Sequence, residues 1–223
     1  MKRSTKGRFS KNKGSSFERW VCRKFSLALS DGQADDWFWR SAMSGGRATV
    51  GRKAGLARSH QEGDISSVSA EGQWFVDRFV VECKSYAHLP LLTFMLDPSK
   101  TIIAGWWKNL KEAIGEEVDN SDSSNIYGMF ARTPLLVMKE NGQKPVVLTH
   151  HFIDWFLYPN REYQEKAGSS LSRKLSCGGK YIYFGGDTGS SYALYSLDEF
   201  LDILQWCYRQ YKVVHEKPSD THE

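Results

Sequence analysis

Apolar residues first recur at helical spacing. Phe17, Trp20, Val21, Phe25 and Ala28 predict a helix over 15–30, with Ser15 or Ser16 as N-cap and Asp31-Gly32 as its stop. The pattern then changes to short strand-like runs. Strands are expected near 36–42, 64–69 and 73–84, the last two joined by a hairpin turn at Glu71-Gly72. Residues 87–96 fit either state, and Pro90 permits a helix start. Asp97-Pro98-Ser99 caps a helix over 100–117 with a buried stripe of Ile102, Ile103, Trp106, Leu110, Ala113 and Ile114. Strands follow at 126–132 and 135–139, separated or broken at Thr133-Pro134, and Asn141-Gly142 signals a hairpin into 146–148. A short aromatic element at 152–158 and a Ser/Gly/Lys-rich stretch at 166–180 precede a hairpin near 181–195. Ser196 with Glu199 makes a capping box for a last helix through about 212.

Composition narrows the class. The 223 residues are 40% hydrophobic and 13% aromatic, enough for a substantial core. No run of eighteen apolar residues exists, so no membrane partner is expected. Cys22, Cys83, Cys177 and Cys207 are scattered without a CxxC pair. That spacing implies neither a zinc site nor a disulfide framework and fits a reducing, cytoplasmic location. Charge is unevenly placed. Residues 1–60 hold fourteen Lys/Arg against four Asp/Glu, although the whole chain carries only +4. Residues 1–13 read as a basic flexible arm. Such a surplus beside an acidic site suits a polyanion held near a metal.

The candidate chemistry lies between Gly63 and Ser85. Asp64 opens one predicted strand, and Glu82 and Lys84 end the next after Phe79-Val80-Val81. Side chains two apart on a strand share a face, so Glu82 and Lys84 project together. If the strands pair, Asp64 joins them, giving two carboxylates and an ammonium at one spot. Cys83 should point to the opposite face as a buried filler. Glu18 borders the apolar stripe of the first helix; it either looks inward towards the sheet edge or favours the helix dipole. Ser44, Gly45 and Gly46 form a loop whose backbone amides can approach a phosphate, or an ordinary mobile loop. His150-His151 reads as structural, as do Trp74, Trp106, Trp107 and Trp155. Trp37 and Trp39, near the Ser/Gly loop, are better placed to touch nucleic acid.

These strings resemble the archaeal-type Holliday junction resolvases of the PD-(D/E)XK nuclease superfamily over residues 13 to about 86. Lys13-Gly14-Ser15-Ser16-Phe17-Glu18-Arg19 resembles the family's first helix, and Arg40-Ser41-Ala42-Met43-Ser44-Gly45-Gly46 its Ser/Gly loop. Gly63-Asp64-Ile65 resembles the P-D-hydrophobic motif, with Gly63 where the family often has Pro. Val80-Val81-Glu82-Cys83-Lys84-Ser85 resembles its most recognisable string. Residues 103–110 and 133–141 look like phage-encoded members of the superfamily. An enlarged basic insertion at 47–62, with Arg47, Arg52, Lys53 and Arg58, departs from the pattern and is able to enter a DNA groove.

The resemblance implies an α/β, restriction-endonuclease-like core over 14–150, a mixed central sheet flanked by helices, with a C-terminal α+β extension over 151–223. It implies an endonuclease that hydrolyses DNA phosphodiesters. Asp64, Glu82 and the Cys83 backbone carbonyl would bind Mg2+, with Mn2+ as substitute. Lys84 would position or deprotonate the attacking water or stabilise the transition-state charge, and Glu18 would assist a metal-bound water or a second ion. Ser44, Gly45, Gly46 and the basic insertion would hold the DNA, with Lys108 and Lys139 as further phosphate contacts. The partner is branched or duplex DNA. A homodimer follows if two symmetrical nicks are made, and the C-terminal part is a candidate dock for a host or phage protein. Cleavage of linear duplex and a non-catalytic DNA-binding role are the competing readings.

Overall fold

The computed structural model describes residues 6–41, 63–114, 132–150, 181–185 and 191–215. Helix α1 runs Lys6–Leu29. Phe17, Val21, Phe25 and Leu29 recur every four residues and are all buried, so burial of this stripe fixes the helix against the sheet. The helix begins well before Ser15 and Ser16, inside the stretch expected to be a flexible arm, and these serines are not caps. No proline interrupts residues 6–14, and Lys and Arg are good helix formers, so the nucleated helix propagates backwards through them. Its end is the expected one. Asp31 and Gly32 both take positive φ, and the Gly32 N–H donates to the Leu27 carbonyl at 2.7 Å. Trp20, expected in the stripe, lies at its margin and is 36% exposed.

Strands β1 (Phe38–Arg40) and β2 (Ile65–Ser67) pair antiparallel, with Arg40 opposite Ile65. The buried Ser26 hydroxyl donates to the Cys22 carbonyl at 2.9 Å and accepts the Phe38 N–H at 3.1 Å, tying β1 to α1. The hairpin expected at Glu71-Gly72 is replaced by helix α2, Ala70–Val76. Ser69 caps it by accepting the Gly72 N–H at 3.1 Å, and Trp74, Phe75 and Val76 are buried at its end. Three consecutive apolar residues, Trp74-Phe75-Val76, read as strand because a helix of seven residues is too short for its period to show. Gly72 is required there: a Cβ would come within 2.5 Å of the Ser67 hydroxyl.

Strand β3 (Phe79–Tyr86) is followed by α3 (Leu91–Leu96), a single 3-10 turn (Pro98–Lys100) capped by Asp97, and α4 (Ile102–Ile114). In α4 the buried residues are Ile103, Trp107 and Leu110, whereas Ile102 is 48% exposed, so the expected stripe is rotated. Strand β4 (Thr133–Glu140) runs unbroken through Pro134. The Thr133 N–H donates to the Arg78 carbonyl on the β3 side, so the missing Pro134 N–H faces the β5 side, where pairing begins only at Leu136. Asn141-Gly142 turns the chain into β5 (Val146–His150) with Gly142 at φ 74°, as expected.

Strands β6 (Tyr181–Gly185) and β7 (Ser191–Ser196) pair with each other and join the same sheet, in the order β3-β4-β5-β7-β6. Only β3 and β4 are parallel among the described strands. Helix α5 (Leu197–His215) follows. Ser196 is its N-cap, as expected, and Glu199 answers it through the side chain: Ser196 Oγ accepts the Glu199 N–H at 3.3 Å and donates to the Glu199 carboxylate at 3.2 Å. Ser196→Ala should cost about 1 kcal/mol in urea unfolding, a typical loss for an N-cap hydroxyl. Expectations for 126–131, 152–158, 166–180 and the loop at 186–189 lie outside the described residues.

Strands β3, β4, β5 and β7 are covered on both faces. Val81, Cys83, Leu135, Val137, Val147, Ala193 and Tyr195 pack with α1, α2 and α5, where Phe25 lies 4.9 Å from Phe75 and 6.3 Å from Phe200. Val80, Leu136, Met138, Leu148 and Leu194 pack beneath Ile103, Trp107 and Leu110 of α4. This double burial is why β4 and β5 read as unbroken apolar runs. His150 meets the Trp107 ring edge-on at 5.2 Å, a packing role. The result is a mixed sheet flanked by helices, the expected architecture.

Candidate active site

Strand β3 is the edge of the five-stranded sheet, and β2 meets its outer side. The Asp64 N–H donates to the Val81 carbonyl at 2.7 Å, and the Ser41 N–H donates to the Asp64 carbonyl at 2.9 Å. Asp64 is therefore gripped from both sides by backbone. Its carboxylate turns to the same edge, where Oδ2 accepts the Cys83 N–H at 2.8 Å. In a strand, the N–H and C=O of one residue point the same way, so the Cys83 carbonyl also faces this edge. The Cys83 side chain points into the α1 face and is buried, as its alternation with Glu82 and Lys84 demands.

Glu82 and Lys84 form an ion pair and are each about a quarter exposed. Glu18 comes from α1 and is paired with Arg40 at the end of β1. Three elements thus bring Glu18, Asp64, Glu82 and Lys84 within mutual electrostatic reach: each of the other three perturbs Asp64. Arg40 is the site residue that the sequence did not disclose. Its register opposite Ile65, one residue from Asp64, arises from tertiary pairing.

Among the described residues, the three carboxylates here face two cations, Lys84 and Arg40. Asp64 is only 6% exposed, and burial first, then Glu82, pushes its carboxyl up to about 7; the Cys83 N–H opposes this, Glu18 adds to it and Lys84 lowers it. Lys84 is pulled down by burial, but the charge and hydrogen bond of Glu82, then Asp64, outweigh that and hold its ammonium above the ordinary value. Burial pushes the Cys22 thiol up to about 12 and the Cys83 thiol well above its ordinary value, so neither is a nucleophile at neutral pH.

A carboxylate raised first by burial and then by neighbouring carboxylates is one whose charged form a cation would stabilise. The donors are oxygens, which suit a hard dication. Among the described residues no three His, Cys, Asp or Glu side chains form a metal-holding group by themselves. The oxygens that could hold a dication are those of Asp64, Glu82 and the Cys83 carbonyl, while Glu18 is paired with Arg40.

Other expected contacts fall differently. Lys139 lies opposite Ser85 in the β3–β4 register and borders an open cleft of about 620 Å³ at that end of the sheet. Lys108 is on the exposed side of α4, 3.8 Å from Glu112, and is not brought to the acids. Trp37 packs edge-on against Tyr208, whereas Trp39 is 63% exposed. Ser44, Gly45, Gly46, Arg47, Arg52, Lys53 and Arg58 lie outside the described residues.

No curated protein and no solved structure matches the chain. One family model does. It is described as phage putative PDDEXK endonuclease and matches residues 9–170, well over half of the chain and all of the acid-bearing elements. With a mixed sheet flanked by helices and an Asp, a Glu and a Lys together on its edge, the chain belongs to this family of phage endonucleases, metal-dependent nucleases of the PD-(D/E)XK superfamily.

Proposed function

We propose that the chain is a Mg2+-dependent DNA endonuclease selective for DNA structure, acting on branched substrates in the manner of junction resolvases. The observation that carries the catalytic part is the buried Asp64 carboxylate, fixed by the Cys83 N–H beside Glu82 and Lys84. Asp64, Glu82 and the Cys83 carbonyl would hold Mg2+ or Mn2+. The bound ion would supply charge neutralisation at the scissile phosphate and a water of lowered pKa. Lys84, kept protonated by Glu82 and Asp64, places a fixed positive charge where negative charge develops in the transition state. Glu18 orients water from the α1 side, and Arg40 holds its carboxylate in place. The basic residues of 1–60 draw the DNA backbone to this edge.

Selectivity for branches is supported by the resemblance of residues 13–86 to junction resolvases; the basic insertion at 47–62 favours linear duplex as the second reading. Four-way junction, flap, nicked and linear DNAs incubated with Mg2+ separate the two. Paired nicks at the junction are expected, and equal cutting of plain duplex would favour the alternative. The metal has its own readout. Mg2+ or Mn2+ should raise the thermal midpoint of wild type at pH 8 and leave that of Asp64→Asn in place, since ligand binding to the native state alone stabilises it. An equal rise in both proteins would remove the assigned metal site.

A further inference from the structure

The cleft at the end of β3 and β4 is not used by the chemistry above, yet it abuts it on two elements. Its wall includes Ser85, next to Lys84 on β3, and Phe17, next to Glu18 on α1. Lys139 and Trp20 also belong to that wall, and among the described residues lining the cleft none is acidic. Trp20 is 36% exposed at the margin of the buried stripe of α1. Its ring lies 5.9 Å from Phe17 at 18°, which props it in one orientation. Two ammonium groups sit over the same ring, Lys24 at 5.5 Å and Lys139 at 5.6 Å. The volume of about 620 Å³ is within the range of small-ligand sites.

An exposed aromatic ring with two cations over it has a chemical complement: a flat π-system carrying a phosphate. Nucleotides of a stacked duplex offer no free π-face; an unpaired nucleotide does. We propose that this cleft is a second DNA site, in which Trp20 stacks on an unpaired nucleotide beside the cleavage point while Lys24 and Lys139 leave the ring for its flanking phosphates. The proposal deepens the nuclease reading and rests on it for the statement that the cleft lies beside the cut. It also gives a structural source for preference towards branched, gapped or frayed DNA.

The test uses the full chain in EDTA, so that binding is read without catalysis. Affinity is measured by anisotropy for a blunt duplex and for the same duplex with a short single-stranded gap carrying 2-aminopurine. Wild type should bind the gapped DNA roughly tenfold more tightly than the blunt duplex and quench the 2-aminopurine emission, the scale of one base–aromatic stack. Trp20→Leu should abolish both the preference and the quenching, with blunt-duplex affinity changed by no more than about twofold. Trp20→Phe should keep most of both. Lys139→Gln should weaken binding to both DNAs and flatten the salt dependence. Circular dichroism establishes that each variant is folded. A Trp20→Leu protein that still prefers and quenches gapped DNA would overturn the proposal, as would a wild type indifferent to the gap. Failure of the nuclease reading appears elsewhere, as a wild type that never cuts in Mg2+ whatever its binding preference.

Discussion

Asp64→Asn should lower phosphodiester cleavage by at least about a hundredfold, while DNA binding in EDTA stays near the wild-type level. The substitution keeps an oxygen acceptor for the Cys83 N–H and removes only the charge. Its fold should not suffer, because the carboxylate it replaces is one that burial and Glu82 disfavour. Loss of activity without loss of stability would therefore report on the site. Lys84 divides the mechanistic options further. If it acts as a cation, Lys84→Arg retains part of the activity and Lys84→Met almost none. If it must give up a proton, both fail alike, since arginine does not deprotonate. The pull of Glu82 and Asp64 on the ammonium favours the first outcome. Single-turnover cleavage of one DNA substrate by the four proteins measures this, and equal rates in all of them would dismiss the assigned centre.

The acid site was legible because strand alternation is rigid. Once Phe79-Val80-Val81 is a strand, Glu82 and Lys84 must share one face and Cys83 must take the other, whatever the rest of the fold does. The helix bearing Glu18 was equally readable from a stripe repeating every four residues. How Asp64 arrives was not. The sequence suggested a hairpin between β2 and β3, but Ser69 caps a helix there, and the backbone bond from the Asp64 N–H to the Val81 carbonyl brings the two strands together. A local turn signal lost to another local feature, the Ser69 cap, and to the tertiary burial of Trp74 and Phe75.

The same distinction accounts for Arg40 and Trp20. Nothing near Arg40 in the chain is its partner; Glu18 is twenty-two residues away and reaches it through α1 packing against β1. Trp20 has helical spacing with Phe17, so periodicity assigns it to the core. Its position at the stripe's margin leaves more than a third of it in solvent, and Lys139, from a strand far along the chain, covers the ring. Periodicity decides which side of an element faces inward, but not where the neighbouring element stops covering it.

Gly63→Ala should be among the most damaging single-methyl additions, costing roughly 2–5 kcal/mol of stability, the sum of left-handed backbone strain and a forced clash. Gly63 has φ +89°, and a Cβ would come within 2.7 Å of the Val81 carbonyl and 3.0 Å of a Val80 methyl. That carbonyl is the acceptor for the Asp64 N–H, so the added methyl pushes on the very contact that seats Asp64 in the proposed site. The positive φ also explains why Gly stands where related motifs carry Pro, whose ring fixes φ near −65°. Gly32 supplies the control. It too has positive φ, +82°, but no neighbouring atom lies within 4 Å of where its added methyl would stand, so Gly32→Ala should cost only the backbone term, about 1–2 kcal/mol. Urea unfolding of the two variants separates strain from crowding. Cleavage should fall with Gly63→Ala even under conditions where the variant is fully folded, because Asp64 is displaced from Cys83, and it should be unchanged with Gly32→Ala. If the two alanine variants lose equal stability and both cut normally, the close approach of β2 to β3 at Gly63 is not what positions Asp64.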